Sequence, residues 1–170
     1  MRFLLLLALG WALLPGRASA QSAPATPALD QLSPREQQNL ARIQQIHAPG
    51  LGLIQRLRDS DLLTEDAEWW VAGPPEVLPF AGSWRGLEGV AEFQTRLGET
   101  MRYDTVELKQ YLVSGEHVAA IFLGAGVARA TGRPFRSEIV RLYTFHDGKI
   151  VRVRNYYDTA AYVAAVSRVP

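Results

Sequence analysis

Between residues 115 and 158 the chain passes twice from a strand-forming run to a cluster of turn residues and back, and this stretch restricts the possible folds more than any other. Three extended segments joined by short turns make an antiparallel meander, with side chains alternating between two faces. Asp147-Gly148 is the sharpest turn signal, because a tight hairpin needs residues that tolerate positive φ. On the strand that precedes it, one face reads Phe135, Ser137, Ile139, Arg141, Tyr143, Phe145; on the strand that follows, one face reads Val151, Val153, Asn155, Tyr157. Arg141 and Asn155 interrupt otherwise apolar faces, where a polar group needs a partner. Their positions predict a pocket.

Upstream, Ser33-Pro34 with Glu36 reads as a helix start, and Leu40, Ile43 and Ile46 follow at helical spacing until Pro49-Gly50 ends the run near His47. A second short helix is expected over 51–57, with Leu53, Ile54 and Leu57 as its stripe. Residues 68–71 turn strand-like and stop at Gly73-Pro74-Pro75. A helix over 87–97 buries Val90, Phe93 and Leu97, and strand character resumes over 106–113. The run 118–128 is apolar on both faces, as in a strand covered on both sides. Residues 159–166 are read as a terminal helical turn. Helices ahead of an antiparallel sheet give an α+β fold with one curved sheet wrapped over the helices.

The first twenty residues stand apart from this domain. Arg2, an apolar run to Leu14 and Ala18-Ser19-Ala20 together read as a cleaved signal peptide over 1–20, since the run is short of the roughly 20 residues that span a bilayer. A flexible leader over 21–32, with Pro24 and Pro27, leads into a domain over 33–170. Loss of Arg2 and Arg17 leaves 16 basic against 17 acidic residues, dispersed among one another. Nucleic-acid binding, which needs a clustered basic stripe, is not expected. There is no cysteine, so neither disulfides nor thiol chemistry nor a lipidated cysteine is available. These features predict an exported, periplasmic or secreted, soluble protein with no membrane attachment after cleavage. His47, His117 and His146 lack metal-ligand spacing, and neither a metal nor a cofactor is expected.

Four stretches resemble the SnoaL-like branch of the nuclear-transport-factor-two-like superfamily, which includes the ketosteroid isomerases. They are Leu63-Thr64-Glu65-Asp66-Ala67-Glu68-Trp69; Gly73-Pro74-Pro75 with Leu78-Pro79-Phe80-Ala81-Gly82 and Gly86; Ala130-Thr131-Gly132-Arg133-Pro134-Phe135; and Phe145-His146-Asp147-Gly148-Lys149-Ile150 through Tyr156-Tyr157-Asp158. The resemblance covers about 63–165. It implies a conical α+β fold, with the N-terminal helices packed in a curved antiparallel sheet, a pocket between them, and frequent use as a dimer. It places in that pocket Trp69 and Val71, then Ala119, Ile121, Leu123 and Ala125, then Ile139, Arg141, Val153, Asn155 and Tyr157. The isomerases abstract a proton with a carboxylate and stabilise the enolate with a protonated acid and a tyrosine. Here Val71 occupies the position of the base and Arg141 that of the acid. The arginine–aspartate pairing of the limonene epoxide hydrolases is also missing, because Ile139 and Tyr143 flank Arg141 on its face.

A pocket of this kind suits a small apolar or amphipathic ligand with one polar anchor. Arg141 either binds a carboxylate, phenolate or enolate oxygen or is an arginine paired within the structure. Asn155 either bonds a ligand or is satisfied at a helix or dimer contact. His47 is a general base if its helix lines the cavity, and otherwise a capping or solvated residue. Trp69, Tyr143 and Tyr157 either stack on a ligand or fill the core. Three functions follow: binding of a small, mostly apolar molecule without proven catalysis; an isomerase, cyclase or lyase in which Arg141 stabilises an oxyanion; or a non-catalytic module that forms homodimers through an outer face carrying Arg136, Glu138, Val140, Leu142, Arg152 and Tyr156.

Overall fold

The computed structural model describes residues 31–48 and 52–167. The segment read as a signal peptide and nearly all of the one read as a leader lie outside the described residues. Leu32 is already buried in the core, and its carbonyl accepts a bond from Gln37 Nε2. Helix α1 (Pro34–His47) starts where its caps dictate: Ser33 Oγ accepts from the Glu36 amide, and the Glu36 carboxylate accepts from the Ser33 amide at 2.8 Å. Its buried face holds Asn39, Leu40, Ile43 and Ile46. Helix α2 (Leu53–Ser60) runs somewhat later than the apolar stripe predicted and ends on Asp61 in the left-handed region.

Strand β1 (Leu63–Val71) begins six residues before the aromatic pair that signalled it, and β2 (Gly82–Arg85) folds back on it antiparallel. Sequence pattern left β2 unassigned, because four residues after a proline-rich loop carry no readable alternation. Helix α3 (Gly86–Thr100) runs directly into β3 (Met101–Ser114). The meander follows as β4 (His117–Ala128), β5 (Pro134–His146) and β6 (Lys149–Tyr157). Asp147 and Gly148 both have positive φ, as the tight β5–β6 turn requires. Helix α4 (Thr159–Val166) closes the described chain, capped by Asp158, whose side chain accepts from the Ala161 amide at 3.1 Å.

The strands form one sheet in the order β2-β1-β6-β5-β4-β3. All pairs are antiparallel except β1 with β6, which run parallel, so the sheet is mixed rather than purely antiparallel. The α+β cone stands with that one difference. Bulges interrupt β3 between Tyr103 and Thr105 and again between Leu108 and Gln110, and such insertions bend a strand. α1, α3 and α4 pack on strands of the sheet, and the core between them is built around Trp69, Phe80, Tyr143, Phe145 and Tyr162. No helix among the described residues is long and apolar enough to cross a membrane.

Candidate functional site

Strand register fixes what faces the helices. Ala120, Arg141, Asn155 and Val71 pair across four strands in one row, and Val118, Tyr143, Val153 and Trp69 make the next. A third row holds Phe122, Ile139 and Tyr157. Directly paired residues share a face. The concave face therefore carries Trp69, Val71, Ile139, Arg141, Val153, Asn155 and Tyr157, with the parity expected from sequence. It does not carry Ala119, Ile121, Leu123 or Ala125. Those four point to the outer face, and Val118, Ala120 and Phe122 take the inner positions. β4 is apolar on both faces, so alternation alone held no information about which parity points inward.

The rows floor a cavity of about 380 Å³, walled by apolar side chains of α1, α2 and α3, such as Ile46, Leu53 and Leu97, and by Phe122 and Ile139 of the sheet. Arg141 and His47 line it too, with Gln94 from α3. Beyond Arg141 lies a smaller inner chamber of about 40 Å³, lined among others by Val71, Asn155, Tyr157 and Tyr162. Trp69 and Val153 are fully buried and line neither space, so they support the floor. Among the described residues neither compartment has an aspartate or glutamate in its wall. Tyr103, at the boundary of both, has room because β4 carries Gly124 opposite: a Cβ there would lie 2.9 Å from the tyrosine ring.

Among the described residues Arg141 is held without a counter-charge. Its Nε donates to Asn155 Oδ1 at 2.8 Å, and Asn155 Nδ2 donates in turn to the Trp70 carbonyl at 3.1 Å. Nη1 reaches the Tyr143 hydroxyl at 3.5 Å, while Nη2 has no hydrogen-bond partner among the described residues. The guanidinium carbon lies 5.3 Å from the Trp69 ring centre and 5.7 Å from that of Phe122, within cation–π range. No carboxylate among the described residues forms an ion pair with Arg141. Asn155, only 3 % exposed, is thus satisfied within the protein, where it brackets the cation while also lining the inner chamber.

His47 enters from the last turn of α1. Its Nε2 is 2.8 Å from the Tyr143 hydroxyl and its Nδ1 is 3.2 Å from that of Tyr111. The ring stacks on Tyr111 and meets Phe122 edge-on. Burial, reinforced by the charge of Arg141, pushes its pKa down to about 3, so the imidazole is neutral. Burial also raises the pKa of Tyr143, against the opposing pull of Arg141, and the hydroxyl stays protonated. His47 is therefore neither a helix cap nor a solvated residue. Tyr103, Tyr111 and Phe122 went unnoticed in the sequence as site residues; the only signal for them was the pairing across Gly115, which sets Tyr111 opposite Ala120.

A sequence profile of the SnoaL-like domain matches residues 58–153. UPF0523 protein B of Dictyostelium discoideum is 30% identical over 112 residues, which is 63% of this chain and 67% of that protein. Among solved structures, an NTF2-like protein from Burkholderia xenovorans LB400 superposes with a TM-score of 0.63 at 24% identity, over 78% of this chain and 98% of its own. A protein of Jannaschia sp. CCS1, provisionally designated a SnoaL-like polyketide cyclase, gives 0.67 at 21% identity, over 82% and 98%. TerC, co-crystallised with polyporic acid, gives 0.58 at 19% identity, over 76% and 98%. At these identities the structures establish a shared NTF2-like fold, and the profile, which spans more than half of the chain, makes it a member of the SnoaL-like family.

Proposed function

We propose that this is an exported protein whose cavity binds a small, mostly apolar molecule and holds its one polar group on Arg141. The observation that carries this reading is an arginine without a carboxylate partner at the end of an apolar cavity. Desolvating a cation costs several kcal/mol unless something compensates it, and two aromatic faces with one amide do so only in part. A bound anion or enolic oxygen completes the set. That TerC, which shares the fold, was co-crystallised with polyporic acid is in keeping with a small-molecule ligand. Native mass spectrometry of protein purified from its exported compartment tests the reading. Wild type is expected to carry a co-purifying small molecule that Arg141→Ala loses, with affinity falling about tenfold or more, as for a hydrogen bond to a charged group. Retention of the same molecule by Arg141→Ala would remove the anchor role.

A second reading, an enzyme that stabilises an oxyanion, is favoured by one contact: the Tyr143 hydroxyl sits between His47 Nε2 and Arg141 Nη1, so a hydroxyl and a guanidinium meet near one point. It ranks below binding because both ring nitrogens of His47 already face tyrosine hydroxyls and no carboxylate lines the cavity to serve as base.

A further inference from the structure

We infer that the ligand is an amphipathic monocarboxylate, with its carboxylate on the terminal amino groups of Arg141 and its hydrocarbon tail running along the cavity to end against Val106 and Leu108. This rests on the cavity being a binding site and goes on to name what it takes.

Charge sets the head group. Among the described residues Arg141 is the one cationic side chain lining the cavity, and the neighbouring imidazole of His47, engaged by Tyr111 and Tyr143, contributes none. A single negative charge balances it, whereas a phosphate dianion would be left half-compensated in apolar surroundings. Geometry selects the carboxylate. With Nε tied to Asn155, the guanidinium plane is fixed, and Nη2 together with the second N–H of Nη1, whose first reaches Tyr143, is left to form the fork that a planar carboxylate matches.

Space sets the direction of the tail. The chamber behind Arg141 holds about 40 Å³, about one water molecule's share, so nothing larger continues inward. The 380 Å³ on the other side takes about a dozen heavy atoms at roughly 30 Å³ each, the size of decanoate. That volume is bounded by Val106 and Leu108 on β3, which are nevertheless 57% and 41% exposed. Two large aliphatic side chains on the edge strand at the rim of the cavity are what the end of such a tail would cover, and covering them is favourable.

The test is a calorimetric titration of the full-length mature protein with hexanoate, octanoate, decanoate and decanol, each below its aggregation limit. Affinity is expected to rise roughly three- to fourfold per methylene from hexanoate to decanoate. Decanol should bind at least tenfold more weakly than decanoate, and Arg141→Gln should abolish that difference. The exposed pair Val106→Ser/Leu108→Ser, checked for fold by circular dichroism, should weaken decanoate several-fold and leave hexanoate unchanged. Decanol binding as tightly as decanoate would overturn the carboxylate assignment while leaving the cavity a binding site. Equal affinities for hexanoate and decanoate would overturn the tail path. Failure of every probe to bind would overturn both this inference and the binding reading beneath it.

Discussion

His47 sets a pH dependence of stability that can be worked out from its surroundings. The groups facing it are Tyr111 from β3, Tyr143 and Arg141 from β5, and Phe122 from β4; Arg141 is the charged one. Its folded pKa of about 3 lies below the 6.5 of an exposed histidine, so between those values the unfolded chain binds a proton that the folded chain refuses. The stabilisation is complete above pH 6.5 and is lost as pH falls towards 3, by up to about 1.4 kcal/mol per pH unit. Urea titrations at pH 7 and pH 5 should show His47→Gln losing less stability on acidification than wild type, and parallel losses would mean that His47 is not held neutral. Arg141 and Asn155 were legible as intruders because their neighbours on each face are apolar. Their bond to each other, and the approach of His47, depend on which strands pair and where α1 lies across them.

At the scale of elements, the glycines of β4 and α3 make opposing cases. Gly126 sits in β4 beside the first bulge of β3, and a Cβ there would lie 2.0 Å from the Arg102 carbonyl oxygen, a backbone atom that cannot swing away. Gly126→Ala should cost about 2 kcal/mol or more, as overpacking against a fixed neighbour does. Gly98 lies within α3, and a Cβ there meets nothing within 4 Å. Gly98→Ala should stabilise by about 0.5–1 kcal/mol through helix propensity. Thermal unfolding of the two variants beside wild type reads both, and a neutral Gly126→Ala would show that β3 can shift at its bulge. Cap residues made α1 and the Asp147-Gly148 turn readable. The run 118–128 could be read as a strand but not oriented, because a strand apolar on both faces fits either way round.

For the whole molecule, that two-faced strand has one side left over. Ala119, Ile121, Leu123 and Ala125 form a half-buried apolar strip on the outer face, with Ile121 paired to Val140 and Ala119 to Leu142. No described element covers it. We propose that a second copy does, so that a homodimer buries the strip inside a rim that includes Glu107, Arg136, Glu138 and Arg152. Sedimentation at micromolar concentrations should find a dimer for wild type and a monomer for Leu123→Asp; a monomeric wild type would leave this face without the proposed partner.

The sequence by itself determined α1 through its cap, α2 and α3 through their apolar spacing, the meander through its turns, the inward faces of β5 and β6 through Arg141 and Asn155, and the kinship with the SnoaL-like family. The tertiary structure alone decided the parallel pairing of β1 with β6, the existence of β2, the inward face of β4, and the meeting of His47, Tyr143 and Arg141 at one end of a cavity. The physical reason is the range of the signals. Capping, turn chemistry and alternation act over a few residues and are written locally, whereas strand order and the approach of α1 to the sheet join residues such as His47 and Tyr143, 96 positions apart, through the packing of the whole core.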